Sequence, residues 1–304
     1  MARIVIAETI AAVGVNALTA AGHSVHDLSG QPREALVAAL KEADALIVRS
    51  QVQVDAALIA AGPKLRIIGR AGVGIDNIDA PVAARAGILV VNAPDGNTIA
   101  AAEHTFALLL GLARHVPRGD RSVREGAWSR AELKGFELRG RRLGIVGLGR
   151  IGRAVAARAA AFGMLLLGSD PIVSAEDAAS VGVRLVSLDE LLRESDVVSL
   201  HAPAVDGAPL IGAAELAKMK STAVLINVAR GSLVDEAALS AALTSGGIAG
   251  AAIDVYAAEP PVGSPLLTAP RTVLTPHLGA QTSDAQVAVA REVADRICEF
   301  FRTA

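Results

Sequence analysis

The sequence has one cysteine, Cys298. No internal disulfide is possible, and a reducing, cytoplasmic setting is the expectation. Aromatic residues are scarce, at 2% of the chain, and the formal net charge is only -2. Without a basic excess, neither nucleic acid nor an anionic membrane is expected as a partner. Long apolar runs are missing as well. The uncharged stretch from Thr9 to Val25 is broken by Thr9, Asn16, Thr19, His23 and Ser24, which makes a poor membrane span. The opening Met1-Ala2-Arg3-Ile4-Val5-Ile6 has too few apolar residues for a secretory leader and reads as a first strand. No metal site is expected.

What the chain does have is Ala, Val, Leu and Ile, within a hydrophobic content of 52%. A Gly-rich aliphatic chain of this kind fits parallel strands covered by helices. Short aliphatic runs alternate with longer Ala-rich segments. The runs are Ile4–Ala7, Ala45–Val48, Leu65–Ile68 and Ile88–Val91, then Leu143–Val146, Leu165–Gly168, Val197–Leu200, Ala223–Val228, Ala249–Ile253 and Thr272–Leu274. Between them the apolar spacing is helical, as in Ile151, Val155, Ala159 and Phe162. The alternation implies βαβ units with right-handed crossovers, hence parallel sheets. Two sets of strands imply two α/β domains. Turns at residues 92–97 and 275–280 mark the boundaries. A long Ala/Leu helix is expected over about Ile99 to Ala113. A final helix, Asp284 to about Arg302, has no strand after it and is expected to pack back on the first domain. The division is then 1–94 with 281–304, and 95–280.

Gly147-Leu148-Gly149-Arg150-Ile151-Gly152 is a GxGxxG between a strand and an Ala-rich helix. Gly147 suits the tight turn, Gly149 a close backbone approach to a pyrophosphate, and Gly152 close helix–strand packing; the helix N-terminus faces the phosphates. The following strand ends at Ser169-Asp170-Pro171. A carboxylate at Asp170 can accept hydrogen bonds from ribose hydroxyls and repel a 2′-phosphate, which favours NAD over NADP.

Three polar groups close later strands: Arg230, Glu259 and His277. Strand C-termini border the ligand crevice of an open parallel sheet. A cation there can hold a carboxylate and polarise a carbonyl, and a histidine can exchange a proton near neutral pH. A carboxylate beside a histidine orients it and favours the imidazolium. Taken singly, each residue has a plain alternative: a loop ion pair for Arg230, a surface turn for Glu259-Pro260-Pro261, a buried hydrogen-bonded side chain for His277.

Together these segments resemble the D-isomer-specific 2-hydroxyacid dehydrogenase family. The matching stretches are Gly147–Gly152 with Asp170, Asn227–Glu236, Ala252-Ile253-Asp254-Val255 with Glu259-Pro260, and Thr275-Pro276-His277-Leu278-Gly279-Ala280. The resemblance implies two Rossmann-like doubly wound domains, with the cofactor domain inserted into the substrate domain. It implies Arg230 on the substrate carboxylate and carbonyl, His277 as acid/base and Glu259 as its hydrogen-bond partner. It places NAD against Gly147, Gly149, Arg150, Ile151, Gly152 and Asp170. Further cofactor contacts are His201, Ala202, Pro203, Val228, Ala229, Arg230, Asp254, His277, Gly279 and Ala280. It also implies a homodimer or higher homo-oligomer built around the Ile99–Ala113 helix, whose Phe106, Leu108–Leu110 and Leu112 serve equally as plain core.

Other segments resemble family members acting on a phosphorylated 2-hydroxy or 2-keto acid: Val48-Arg49-Ser50, Gly69–Asn77, Asn92–Thr98 and Trp128-Ser129-Arg130. Arg49 and Arg70 each end a predicted strand, and a phosphate plus a carboxylate needs more than one cation. The implied substrate contacts are Arg49, Ser50, Arg70, Val73, Gly74, Asn97, Arg130, Arg230 and His277, with Trp128 and Arg130 reaching the neighbouring subunit's site. Reduction of glyoxylate or hydroxypyruvate, or a non-enzymatic corepressor-like role, stays open. Two features depart from the family pattern. The stretch His201–Gly207 lacks the Leu and Thr usual after the family's His-x-Pro, so a cofactor-side loop is expected to differ. Longer members also continue into regulatory domains, whereas this sequence shows one C-terminal helix.

Overall fold

Each aliphatic run overlaps a strand in the computed structural model, which describes residues 1–204 and 207–303. The chain forms two compact units, one of Met1–Thr98 with the stretch from Ala280, the other of Ile99–Gly279.

The first unit runs β1 (Arg3–Ile6), α1 (Ala12–Ala20), β2 (Ser24–Asp27), α2 (Arg33–Leu40), β3 (Ala45–Val48), α3 (Ala56–Ala60), β4 (Ile67–Arg70), α4 (Ala80–Arg85) and β5 (Leu89–Asn92). The strands are parallel, in the order β2-β1-β3-β4-β5. Side chains alternate across the sheet, as the two-residue repeat of a strand requires. Val5, Leu46, Val48 and Ile68 join Leu36, Leu40 and Leu58 on one face. Ile4, Ile6, Ala45, Ile47 and Ile67 join Leu18, Val293 and Ile297 on the other. Asp55 and Asp79 cap α3 and α4 by accepting from the Leu58 and Val82 N–H groups.

The second unit runs α5 (Thr98–Ala113), α6 (Val116–Arg124), β6 (Arg142–Val146), α7 (Arg150–Ala161), β7 (Leu165–Ser169), α8 (Ala175–Ser180), β8 (Arg184–Leu185), α9 (Leu188–Glu194) and β9 (Val197–Leu200). It continues through α10 (Ala213–Leu216), β10 (Val224–Asn227), α11 (Glu236–Ser245), β11 (Gly250–Ile253) and β12 (Thr272–Leu274). Its seven strands are parallel, in the order β12-β11-β10-β9-β6-β7-β8. The chain starts mid-sheet at β6, winds one way through β8, then returns to β9 on the other side of β6. The β6/β9 junction is therefore a topological switch point, where ligands bind at strand C-termini. Leu143, Ile145 and Val155 bury against Phe106, Leu109 and Leu112 of α5. Of the two roles open for that helix, these residues fill the core role within this chain. On α6, by contrast, no residue is buried, and the following Trp128 is 81% exposed.

The last helix, α12 (Ser283–Thr303), packs on α1 of the first unit. The two helices cross closely: a Cβ on Gly14 would lie 2.7 Å from the Ala290 carbonyl oxygen. Among the described residues, no helix is long and apolar enough to cross a membrane.

Candidate active site

The glycine loop follows β6 at the switch point. Gly147 has φ +93°, and a Cβ there would lie 2.7 Å from the His201 carbonyl group at the end of β9. A left-handed backbone packed on a neighbour needs glycine. A Cβ on Gly152 would lie 2.0 Å from the Gly147 oxygen, so α7 can approach β6 only with glycine there. Gly149 differs from both. It is the N-cap of α7 with φ -68°, it makes no side-chain cap, and a Cβ there would meet nothing within 4 Å. The fold does not need glycine at that position; it leaves space above open helix N–H groups, the cradle a pyrophosphate would fill.

Asp170 ends β7 and ties the loop down. Its Oδ2 accepts from Leu148 N–H at 2.8 Å, and its Oδ1 from Ile172 and Val173 N–H at 2.8 and 3.1 Å. Partial burial alone would raise its pKa, but these three hydrogen bonds and nearby Arg153 hold it below the ordinary carboxylate value. Arg150 and Ile151 open α7. His201 accepts or donates through Nε2 to Ser199 Oγ at 2.8 Å, and burial pushes its pKa down to about 4. Ala202 and Pro203 follow it; Val205 and Asp206 of the departing loop lie outside the described residues.

Arg230 follows β10 and opens a short 3-10 turn, Gly231–Leu233. The loop is pinned by Asn227, which is 1% exposed. Its Nδ2 donates to the Arg230 carbonyl at 2.8 Å and its Oδ1 accepts from Ala229 N–H at 3.1 Å. Val228 beside it is buried. A Cβ on Gly231 would lie 1.9 Å from the Tyr256 carbonyl group. That contact brings the Arg230 loop against the segment carrying Glu259. The same segment is braced by Glu236, whose Oε1 accepts from Ala257 N–H at 2.8 Å. Glu259 Oε1 accepts from Tyr256 N–H at 3.1 Å, which leaves Oε2 to meet His277 Nδ1 at 2.7 Å. The pair stays accessible, with side chains 49% and 38% exposed for His277 and Glu259. Among the described residues nothing bonds His277 Nε2.

Asp254, at the end of β11, is fully buried. Its carboxylate accepts from Thr275 Oγ1, Leu278 N–H and Gly279 N–H at 2.6, 2.7 and 2.8 Å, and meets His104 Nε2 at 3.1 Å. Burial alone would raise its pKa, yet the His104 and Thr275 hydrogen bonds outweigh it and hold the group ionised. In this arrangement Asp254 braces the His277 loop from beneath.

The phosphate candidates lie in the first unit. Arg49 directly follows β3, and Arg70 ends the adjacent β4, where Val48 pairs with Arg70. The Arg49 loop is held by Glu8, which accepts from the N–H groups of Arg49, Gln51 and Val52 at 2.7, 3.0 and 3.2 Å. Asn77 holds the same loop, donating to the carbonyls of Arg49 and Val52 at 3.0 and 2.7 Å. Among the described residues the Arg49 guanidinium has no hydrogen-bond or ion-pair partner, and Ser50 beside it is exposed. The Arg70 guanidinium folds over Gly72, where a Cβ would lie 1.6 Å from Nη1. Val73 and Gly74 continue that loop, and the Val73 carbonyl accepts from Asn92 at 2.6 Å. Asn97 is half-buried, with its Oδ1 buried and unbonded among the described residues. Arg130 is exposed near Trp128, and Ala280 opens the C-terminal stretch of the first unit.

Residues 106–279 match the family described as D-isomer specific 2-hydroxyacid dehydrogenase, NAD binding domain. The chain belongs to that family. It is 47% identical over 298 residues to D-3-phosphoglycerate dehydrogenase of Synechocystis sp., covering 98% of this chain and 54% of that protein. It thus spans about half the length of the curated relatives it matches. A solved structure from Thermus thermophilus superposes with TM-score 0.90 at 35% identity, covering 99% of this chain and 97% of that one. A glyoxylate reductase from Paecilomyes thermophila gives TM-score 0.87 at 32% identity, with 97% and 94% covered.

The matched dehydrogenase segment contains the glycine loop, Arg230, Glu259 and His277. Sequence reasoning did not single out His104, Asn227, Gly231 and Glu236, nor Glu8 and Asn77 in the first unit. All six touch loop backbones or a buried carboxylate. Asn227 and Gly231 flank Arg230 in the motif, which was the available signal. His104 reaches Asp254 across 150 residues and leaves no local signal.

Proposed function

We propose that the chain oxidises D-3-phosphoglycerate to 3-phosphohydroxypyruvate with NAD, and catalyses the reverse reduction, with His277 moving the proton. The observation that carries this reading is the 2.7 Å contact of Glu259 with His277 Nδ1, which leaves Nε2 to the substrate. In oxidation, Nε2 takes the proton of the 2-hydroxyl while Glu259 stabilises the imidazolium that forms. Bound NAD supplies the acceptor for the hydride leaving C2. Arg230 holds the carboxylate and polarises the developing carbonyl. In reduction, the imidazolium returns the proton to the carbonyl oxygen.

The glycine loop fits the cofactor, because Gly149 leaves room over α7 that the fold itself does not use. The ionised Asp170 has acceptor capacity beyond its three backbone bonds, suits ribose hydroxyls and repels a 2′-phosphate. Val228, Ala229, Gly279 and Ala280 are read as further cofactor contacts. Arg49 and Arg70 are assigned the phosphate; their places at the ends of adjacent strands, and an Arg49 guanidinium without a partner among the described residues, support this. Exposed Trp128 and Arg130 support a homodimer in which each reaches the other subunit's site. The lone Cys298 supports a cytoplasmic setting.

A steady-state assay tests the reading, with cofactor reduction followed by absorbance. Phosphoglycerate should turn over with NAD far better than with NADP. Efficient reduction of glyoxylate and hydroxypyruvate, with the phosphorylated acid untouched, would overturn the substrate assignment. Absence of turnover with every D-2-hydroxy acid would overturn the enzymatic reading itself.

A further inference from the structure

We propose that His104, on α5, is a positioning residue for His277 and acts through Asp254. The inference rests on the acid/base role proposed above for His277. His277 has φ +54°, a left-handed conformation that residues with a Cβ rarely adopt. Something must hold it there. The neighbouring contacts show what does. The His277 N–H donates to the Asp254 carbonyl at 2.9 Å, and the next two N–H groups donate to the two oxygens of the Asp254 carboxylate. Three successive amides therefore wrap one buried residue, and the imidazole leaves the loop at the angle that reaches Glu259.

The orientation of that carboxylate decides the loop, and His104 governs it. Asp254 is fully buried, and a buried carboxylate needs donors or a counter-charge. Thr275 Oγ1 supplies one donor at 2.6 Å. His104 Nε2 lies 3.1 Å from Asp254 Oδ1 and 3.2 Å from Thr275 Oγ1, so it touches both. Among the described residues, His104 is the one side chain within ion-pair distance of Asp254 that can carry positive charge. It is itself 16% exposed and rides on α5, a helix packed into the sheet core. The placement of His277 is thereby referred to a rigid element far away in sequence. Without His104, Oδ1 loses a donor, the carboxylate can turn, and the amides of Leu278 and Gly279 lose their fixed acceptors.

The test uses His104→Ala, His104→Gln and His104→Asn in the full chain. A Gln amide reaches the place of the imidazole Nε2; an Asn amide falls short of it. His104→Ala should lower kcat about ten- to hundredfold, the scale of an ångström-sized misplacement of a reacting group. The KM for the hydroxy acid should stay within about twofold, since Arg230 is untouched. His104→Gln should recover most of the rate and His104→Asn little of it. A second readout needs no activity: amide hydrogen exchange of the 276–280 segment in cofactor-free protein, by mass spectrometry. Exchange there should speed up in the Ala variant and slow again in the Gln variant, with β6, β9 and β10 unchanged. Unchanged kcat and unchanged local exchange would overturn the proposal. So would faster exchange throughout the sheet, which is a general loss of fold, or failure of Gln to outperform Asn. If the unmodified enzyme oxidises no hydroxy acid, the functional reading fails, and the exchange measurement still judges His104 on its own.

Discussion

Replacing Gly149 with alanine separates what the glycine loop does for the fold from what it does for a ligand. The backbone there, φ -68° and ψ -164°, is open to any L-residue, and the added methyl would meet nothing within 4 Å. Two small terms act on stability. Restricting the unfolded chain gains about 0.4–1 kcal/mol, as for other Gly→Ala changes at compatible positions. Alanine is a poorer N-cap than glycine, which costs roughly 0.5–1 kcal/mol. They nearly cancel, so the melting temperature should move by no more than about 2–4 °C in a chain of this size. Binding is another matter. On the proposed placement the methyl would occupy the space through which a pyrophosphate approaches the α7 amides, and each 1.4 kcal/mol lost there is tenfold in affinity. We expect NAD to bind about ten- to a hundredfold more weakly, measured by calorimetry beside a thermal melt. Gly152→Ala is the control: its methyl would lie 2.0 Å from the Gly147 oxygen, and the melt should drop. Unaltered NAD affinity in Gly149→Ala would refute the placement of the phosphates, and a collapsed melt would refute the claim that the fold tolerates a side chain there.

Further expectations follow the same geometry. Gly231→Ala must displace the Tyr256 carbonyl, 1.9 Å from the new Cβ, so turnover should fall about a hundredfold, with stability lowered by about 1–3 kcal/mol; wild-type kinetics would show that the Arg230 loop does not need this contact. Asp170→Ala should relax the preference for NAD and also lower the melting temperature, because three N–H groups lose their acceptor; a variant as stable and as selective as the parent counts against both roles. Arg49→Ala should weaken use of the phosphorylated acid about ten- to a hundredfold, the worth of a charge-assisted hydrogen bond, while sparing hydroxypyruvate; equal losses on both sink the phosphate assignment. His201 is held down to about 4 from an ordinary 6.5, so the unfolded chain binds the extra proton first as pH falls. Stability should therefore decline between pH 6.5 and about 4, by about 3 kcal/mol in total. His201→Gln should flatten that part of a urea-denaturation profile, and an unchanged slope would assign the loss to other groups.

The sheets were legible because their strands are aliphatic and the central ones are buried on both faces. The two strands that the aliphatic runs missed are edge strands. Ser24-Val25-His26-Asp27 of β2 is polar and mostly exposed, and β8 has only Arg184 and Leu185. An edge strand buries little, so neither a hydrophobic run nor a clear alternation marks it. The residues proposed for the chemistry stood out for a different reason: Arg230, Glu259 and His277 each follow a strand C-terminus, where polar groups in a short motif contrast with aliphatic neighbours. Their supports did not stand out. Glu8 is an ordinary acidic residue after β1 until its carboxylate is seen under the N–H groups of residues 49, 51 and 52. His104 sits in an Ala/Leu helix, and its partner Asp254 is remote in sequence.

These supports share one design. A residue proposed to act on a ligand rides on an accessible loop, and a polar residue at or just after a strand end fixes that loop through its backbone. Asn227, 1% exposed, holds the carbonyl of Arg230 and the amide of Ala229. Asp254, fully buried, holds the amides beside His277, itself 49% exposed. Glu8 does the same for the Arg49 loop. At Arg49, backbone anchoring by Glu8 leaves the guanidinium its own hydrogen-bonding capacity, which a side-chain anchor would consume. It also moves the cost of placement into folding, so that little ordering remains for the moment of binding. The acting side chains can then be removed with little effect on the fold, whereas removing a support leaves buried backbone groups unbonded and lowers stability together with rate.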